Sequence, residues 1–344
     1  MIDTIKIYTF INKDIYEDIK FKSDIKCSYN LNNNTIYYEI VNGHLQGTFD
    51  SRLSVRVGDS SRYGFNGYYI EAECSYHKLV RGHNCFDGFY NIQEICLGII
   101  NLIENGFSIK LPGLSHWFLS RIDITKVYNL GTNKNVQKYI NYFRTLSFPR
   151  RNLKFYEGES IYCSGSTTTL KIYNKLKEFK KNDLKKIKKF NIDYIKFLNK
   201  IDGYIRFECE IKSRKLKSIF KKRFIRVNSL NYYLFNDVWC DEFMKILKFK
   251  SNEINLVKNK DVVFDRLHKF YKLNTANNLY NFFLNIKVNG YDFVKNSSSK
   301  SSFYRKINQL KEAGIDFSGT FEIFEEDIQV IDFNPFVDFE REVS

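Results

Sequence analysis

Four stretches of this sequence alternate apolar side chains with carboxylates, cations and one tyrosine. Successive side chains on a β-strand point to opposite faces, so each stretch predicts a strand with one apolar and one polar face. The four stretches are YYIEAEC, SRIDIT, TTLKIY and GYIRFECEIK. If these strands share one sheet, its polar face gathers Glu71, Asp123, Lys171, Tyr173 and Glu208.

These side-chain types are the ones that metal-assisted phosphoryl transfer needs. Carboxylates such as Glu71 and Asp123 are hard oxygen ligands for Mg²⁺ or Mn²⁺. A tyrosine such as Tyr173 can attack a phosphodiester and leave a covalent phosphotyrosine, while Lys171 lowers the tyrosine pKa or holds phosphate. The alternative interpretation is structural, because any antiparallel sheet with one solvated face alternates in this way.

The elements that must position these residues fall into two parts. Short strands separated by Asn, Gly, Asp and Ser clusters fill the first part, with the strand YYIEAECSYHKLV among them, and they predict an antiparallel sheet. Apolar spacing predicts helices over Asn91–Asn105 and Asn133–Phe148, and a basic helical stretch over Lys175–Lys200. After about Lys215 the pattern is helical, over residues 237–249, 261–273, 276–286 and 301–313.

We therefore predict an α+β protein. Residues 1–215 are expected to form an antiparallel-sheet domain with helices, and residues 216–344 a mostly helical C-terminal part. The sequence holds 54 Lys and Arg against 39 Asp and Glu, a formal charge of +15, which favours anionic partners and nucleic acid first. A coding bias towards lysine would produce the same excess.

The cysteines and the hydropathy argue against a zinc-binding, a disulfide-rich and a membrane-spanning protein. Seven scattered cysteines contain no CxxC pair, so the sequence predicts neither a zinc knuckle nor a disulfide framework, and a reducing cytoplasm fits best. The most apolar stretch, Ile95 to Ile103, lies between Glu94 and Glu104. We expect neither a membrane span nor a signal peptide.

Several blocks of the sequence resemble a known family, in order and in spacing. The blocks are the opening MID, KLVRGHNCF, SRIDIT, TLKIYNK, GYIRFECEIKSRKLKS, FYRKINQLKEAGI and VIDFNPFVDF. They resemble the gene II and gene X replication initiators of filamentous phages and related plasmids, which are rolling-circle nicking enzymes. The resemblance implies that residues 1–215 form a nuclease domain of the rolling-circle type, in a degenerate HUH-like form. It implies that residues 216–344 serve DNA grip or origin recognition.

The resemblance also implies site residues. It places the nucleophile at Tyr173 in TLKIYNK, and its blocks match Glu208, Asp123 and Glu71. We expect Asp123 and Glu71 to bind the metal, and Glu208 either to bind it with them or to act as the base, with Lys171 of the same face as a catalytic partner. His83 of the GHN block is a further candidate ligand. Rolling-circle initiators usually carry a histidine, hydrophobe, histidine triplet, and this sequence has none. The expected DNA-binding residues are Arg121, Arg206, Lys212, Arg214 and Arg305.

The implied activity is a metal-dependent, site-specific nick in one strand of a plasmid or phage origin. Tyr173 would retain the 5′ phosphate, the 3′ hydroxyl would prime synthesis, and the displaced strand would be rejoined. The cofactor would be Mg²⁺ or Mn²⁺, and the partners would be origin DNA, a host helicase and a DNA polymerase in the cytoplasm of a bacterial host. The alternative is a non-catalytic origin-binding regulator; a tyrosine recombinase ranks last because its Arg/His cluster is not found.

Overall fold

A computed structural model gives the architecture of the chain. It describes residues 1–29, 36–47, 51–144, 151–156, 159–188, 194–247, 260–313 and 315. The block VIDFNPFVDF and the end of the helix expected to reach Phe148 lie outside these residues. None of the described helices is long and apolar enough to cross a membrane.

The described part of the chain forms a ten-stranded antiparallel sheet. Its strands run in the order β2-β3-β4-β5-β1-β6-β10-β9-β8-β7. The strands are β1 (Ile2–Ile11), β2 (Asp24–Tyr29), β3 (Ile36–Gln46), β4 (Arg52–Asp59), β5 (Tyr68–Ser75), β6 (Phe118–Asn129), β7 (Asn152–Tyr156), β8 (Ser160–Ser164), β9 (Thr168–Asn174) and β10 (Tyr204–Lys212). The predicted α+β class is therefore confirmed, and the four alternating stretches lie on β5, β6, β9 and β10.

Thirteen α-helices occur among the described residues. They are α1 (Lys13–Phe21), α2 (Tyr76–Arg81), α3 (Ile92–Phe107), α4 (Asn133–Phe143), α5 (Lys175–Asn182), α6 (Leu184–Lys188), α7 (Tyr194–Lys200), α8 (Ser213–Phe220), α9 (Tyr232–Leu247), α10 (Lys260–Phe270), α11 (Leu273–Asn289), α12 (Tyr291–Asn296) and α13 (Lys300–Glu312). The helix predicted from Asn91 is α3, and the Asn91 side chain caps it by accepting from the amides of Gln93 and Glu94.

One face of the sheet packs into the main hydrophobic core. The apolar residues of the alternating strands, among them Ile124 and Phe207, are buried there against α3, α4, α8 and α9. Residues four apart on α3, such as Ile95 and Ile99, point to the same side and join this core. Burial of this apolar area is the main stabilising contribution to the fold.

The opposite face carries the charged residues and is covered in part by α2 and by α5 to α7. A smaller apolar cluster lies here, with Val127 of β6 packed against Phe179 of α5 and Ile201. The sequence predicts that strand β5 continues through YHKLV, and that part of the prediction is wrong because Tyr76–Arg81 forms α2. The helix is capped by Gly82, which has a φ of 77°. This helix turns the chain back over the charged face.

The boundary expected near Lys215 falls inside α8. The main core continues through α8 and α9, where Trp239 and Phe243 are fully buried against the sheet. A second hydrophobic cluster begins with Val263 of α10 and ends at Ile315. The division between the two cores among the described residues thus lies between α9 and α10.

Candidate active site

The pairing of β9 with β10 brings together the three residues expected to be catalytic. Lys171 is directly opposite Glu208, and Tyr173 is opposite Arg206, so all four side chains share the charged face. The Tyr173 hydroxyl donates to Glu208 Oε2 at 3.0 Å. Lys171 Nζ donates to Glu208 Oε1 at 2.6 Å. One carboxylate therefore holds both the candidate nucleophile and the lysine.

Burial and neighbouring charges shift the pKa values of Tyr173 and Lys171. Burial raises the pKa of Tyr173 well above its ordinary value, and the charge of Glu208 adds to the effect although Arg206 opposes it. Burial lowers the pKa of Lys171, but the charges of Glu208 and Asp123 outweigh burial and leave that pKa above its ordinary value. At neutral pH the phenol is therefore protonated and the lysine charged, so a base must remove the phenol proton during attack.

Tyr173 and Glu208 open onto a cavity of about 350 Å³. Its walls come from β7, β8, β9 and α5, with Glu208 of β10 at one side. The lining residues are Tyr156, Glu159, Ser160, Ile161, Tyr162, Lys171, Tyr173, Asn174, Lys177, Glu178, Lys181, Asn182 and Glu208. A phosphodiester that enters this cavity meets the hydroxyl of Tyr173 and three lysines.

Arg206 packs beside the ring of Tyr173 and does not reach solvent. Its side chain is 0% exposed, with Nη2 2.9 Å from Asp3 Oδ1 and Nη1 donating to the Asn84 carbonyl at 2.5 Å. The guanidinium carbon lies 5.9 Å from the centroid of the Tyr173 ring. The expectation that Arg206 contacts DNA is wrong, because a fully buried cation paired with Asp3 cannot reach a phosphate backbone.

Asp3 and Asn84 complete this support and were missed by strand alternation. Asp3 Oδ1 accepts from the Asn84 amide at 2.7 Å and from the Ser75 hydroxyl at 3.0 Å. Burial raises the pKa of Asp3, but Arg206 and Asn84 outweigh it and lower that pKa overall, so Asp3 stays ionised. Simple alternation along β1 would put Asp3 on the apolar face with Ile5. The pairing register between β1 and β6 shifts between Ile2 and Ile5, so alternation does not indicate that Asp3 joins the charged face.

Asp123 lies on the charged face, where Arg121 binds both of its carboxylate oxygens. Arg121 Nε and Nη2 donate to the two Asp123 oxygens at 2.8 Å and 2.6 Å. The same guanidinium lies 2.8 Å from Glu73 and 3.4 Å from Glu210. Arg121, expected to bind DNA, is thus paired with three carboxylates. Burial raises the pKa of Asp123 above its ordinary value, while Arg121 opposes the rise.

The expected metal ligands do not form a set. Glu71 is 3.0 Å from Lys6 Nζ, Asp123 is held by Arg121, and His83 lies among aromatic rings, with its centroid 4.7 Å from that of Phe86. Burial lowers the pKa of His83 to about 4. Among the residues that the structure describes, no three His, Cys, Asp or Glu side chains are placed to hold a metal ion. The positions of Glu71, Asp123 and His83 therefore do not fit the expected shared Mg²⁺ or Mn²⁺ ion.

The remaining expected DNA-binding residues have different surroundings. Lys212 Nζ donates to the Gly165 carbonyl at 2.7 Å and is half-buried. Arg214 on α8 and Arg305 on α13 are exposed. Two of the five expected cations therefore face solvent, where a phosphate backbone can reach them.

Comparison with known proteins gives the family. Residues 1–231 match the family model for the N-terminal region of the phage replication-associated protein of the gene II type, a span that includes every residue of the site described above except Arg305. The replication-associated protein of this type from Enterobacteria phage M13 is 25% identical over 286 residues, which cover 72% of this chain and 68% of the relative. The protein of the same name from Salmonella phage IKe is 21% identical over 286 residues, 72% of this chain and 67% of the relative. The family expected from the sequence blocks is thus confirmed, and the chain belongs to the gene II family of phage replication-associated proteins.

Proposed function

We propose that this protein initiates rolling-circle replication by nicking one strand of an origin through Tyr173. The observation that supports the proposal most directly is the hydrogen bond from the Tyr173 hydroxyl to Glu208 at the mouth of the cavity. A protonated nucleophile that already donates to a carboxylate has its general base in place. The names of the relatives, which are replication-associated proteins of filamentous phages, support the same conclusion.

The reaction balances with the residues at hand. The Tyr173 oxygen attacks phosphorus while its proton passes to Glu208, and the bond from phosphorus to the 3′ oxygen breaks. The 3′ oxygen takes a proton from water, and the 5′ phosphate stays on the tyrosine. In the reverse direction a 3′ hydroxyl loses its proton to water as its oxygen attacks the phosphotyrosine, the bond from phosphorus to the tyrosine oxygen breaks, and Glu208 returns its proton to Tyr173. The same site thus nicks and rejoins without a nucleotide cofactor.

Lys171 and Arg206 have separate roles in this proposal. Lys171 bonds to Glu208 and lines the cavity, so it orients the base and offers charge to the phosphate oxygens. Arg206 contacts the Tyr173 ring and is anchored on Asp3, so it positions the nucleophile. The carboxylate of Glu208 remains the proton acceptor, because its second oxygen faces the phenol.

The proposed partners follow from the products. A nick leaves a 3′ hydroxyl that a host DNA polymerase extends and a displaced strand that a host helicase unwinds. Origin binding is supported by the excess of Lys and Arg and by the exposure of Arg214 and Arg305.

The proposal includes Mg²⁺ or Mn²⁺ as cofactor, supported by charge alone. Among the described residues, ion pairs on this face link six carboxylates with four cations, and a concentration of carboxylates of this kind would attract a divalent ion. The carboxylates are Asp3, Glu71, Glu73, Asp123, Glu208 and Glu210, and the cations are Lys6, Arg121, Lys171 and Arg206. No step above is assigned to the ion. Cleavage measured in Mg²⁺, in Mn²⁺ and in excess chelator tests the dependence.

Tyr173→Phe tests the nucleophile. With labelled single-stranded origin DNA, the variant should lose cleavage and the covalent adduct but retain binding by fluorescence anisotropy, because only the attacking oxygen is removed. Tyr233→Phe is the matched control, since Tyr233 is 73% exposed on α9, and it should cleave normally. A peptide map that places the adduct on another residue would overturn the assignment. Wild-type binding without cleavage would favour the non-catalytic regulator.

A further inference from the structure

The cavity beside Tyr173 extends well past the space that the scissile phosphate needs. Tyr156 of β7 and Tyr162 of β8 form part of its wall, and Lys177 and Lys181 of α5 form another part. Tyr156 is 50% exposed. The volume of about 350 Å³ is in the range of pockets that hold small organic ligands, roughly 300–1,000 Å³. The site therefore has room for a group attached to the phosphate.

We propose that this cavity binds one unpaired nucleoside next to the scissile phosphate, with its base stacked on Tyr162 or Tyr156. The inference rests on the proposed function, because it names the part of the substrate that occupies the same site. The ligand is single-stranded DNA, since a base still paired in a duplex cannot enter a cavity of this size.

Strand register places the tyrosines at a suitable distance from the nucleophile. Tyr156 is opposite Ser160, and Ser160 is opposite Tyr173, so Tyr156 lies two strands from the nucleophile. Two strand spacings amount to roughly 10 Å, a separation that a phosphate and its attached sugar can bridge. Tyr162 is opposite Lys171 on the same face, and Lys171 Nζ lies 5.8 Å from its ring centroid.

The charges of the wall suit a nucleotide better than an apolar ligand. Lys177 and Lys181 flank the cavity, and Lys177 Nζ lies 3.0 Å from Glu159 across it. Both members of this ion pair are about one third exposed, so an entering phosphate can replace Glu159 as the partner of Lys177. Glu159 and Asn182 then offer polar atoms to the edge of the base.

Abasic scanning tests the proposal in the Tyr173→Phe background, where binding is measured without cleavage. Origin-strand oligonucleotides carry one abasic residue at successive positions around the nick, and anisotropy gives each Kd. One position next to the scissile phosphate should weaken binding about tenfold, the size expected for loss of one stacked base. Tyr162→Leu combined with Tyr156→Leu should weaken binding of the intact strand equally and abolish the effect of the abasic position.

Tyr162→Phe combined with Tyr156→Phe is the matched control, because phenylalanine keeps the stacking face and loses only the hydroxyls. It should retain the effect of the abasic position. If the Leu pair binds intact and abasic strands as the Phe pair does, the cavity does not hold the base and the proposal is overturned. The adduct is measured in parallel on the wild-type protein with intact DNA. If the wild type forms the adduct while no abasic position matters, this inference alone is overturned, and if an abasic position matters while the wild type forms no adduct, the proposed nicking function is overturned.

Discussion

Two neighbouring residues of β10, Arg206 and Phe207, are equally buried on opposite faces of the sheet. Phe207 packs among aromatic rings, with centroids 5.5 Å from those of Phe143 and Phe243. Arg206 is surrounded by an ion pair, a backbone carbonyl and the ring of Tyr173. Burial of Phe207 stabilises the fold by itself, whereas burial of Arg206 is tolerated only because its charge is paired.

The comparison separates the part of the molecule that stabilises the fold from the part that does chemistry. The apolar face contributes free energy through area removed from water. The charged face holds Asp123 at 0% exposure and Glu208 at 4%, so it is not the solvated surface that alternation alone would indicate. Removal of Asp3 would cost stability, because the fully buried Arg206 would lose its nearest ion-pair partner.

The contrast between the apolar and the charged face predicts its largest effect on stability at Arg206. Arg206→Met fills a similar volume but leaves the buried Asp3 carboxylate without its cation, which should lower the free energy of unfolding by about 3–5 kcal/mol. Asp3→Asn in the same chain should restore part of that loss. Cleavage should remain low in both variants, because Tyr173 loses its positioning contact. Urea unfolding and single-turnover cleavage measure the two effects.

Ile205→Val is the matched control for Arg206→Met, one residue earlier on β10 and on the apolar face. Ile205 is 0% exposed, and loss of one methyl group should cost about 1 kcal/mol with normal cleavage by the folded protein. If Arg206→Met were as mild as Ile205→Val, the charged face would not depend on pairing, and the contrast between the faces would fail.

The next effect is a pH dependence that only the charged side should show. His77 of α2 is fully buried above this face, and neither ring nitrogen has a hydrogen-bond partner among the described residues. Burial, with a smaller contribution from the charge of His83, lowers the pKa of His77 to about 3. An unfolded histidine has a pKa of about 6.5. Between these values the unfolded chain binds a proton that the folded chain does not.

Stability should therefore be complete above pH 6.5 and fall as the pH drops from about 6.5 towards 3. At pH 5 the loss from His77 amounts to about 2 kcal/mol relative to neutral pH. His77→Phe removes the titrating group, so its free energy of unfolding should decline less than that of the wild type between pH 7.5 and pH 5. Parallel curves for the two proteins in urea titrations at both pH values would contradict the prediction.

How much of the site could be predicted depends on whether local alternation controls the residue. Tyr173 and Glu208 were found because β9 and β10 alternate without interruption and pair directly. Asp3 was missed because the register of β1 shifts, and Asn84 was missed because it follows α2, in a segment without a repeating pattern. No pattern in the sequence marks Tyr156 and Tyr162 as site residues, and only the three-dimensional cavity singles them out.

The order of ten strands and the extent of the main core could not be predicted either. Both depend on pairing between segments far apart in sequence, such as β1 between β5 and β6. The helices α8 and α9 have apolar faces that would suit a separate helical part equally well. Only their contacts show that Leu216 and Trp239 belong to the core of the sheet.

The smallest effect concerns cations that are exposed instead of buried. Phe303, Ile307 and Leu310 of α13 are buried in the second cluster, which leaves Arg305 exposed on the opposite side of the helix. Arg305→Gln should change the free energy of unfolding by less than about 0.5 kcal/mol, because an exposed arginine that makes no buried contact contributes little. If Arg305 neutralises a phosphate, the slope of log K against log salt for duplex origin DNA should become shallower by about one. Arg214→Gln on α8 should behave in the same way, and the two changes should add because they lie on different helices.

Arg206→Met should leave that slope unchanged in the folded protein, since a cation that is already paired with Asp3 releases no counterion from DNA. A shallower slope for Arg206→Met and an unchanged one for Arg305→Gln would reverse the division between buried and exposed cations, and DNA would then have to reach the charged face directly.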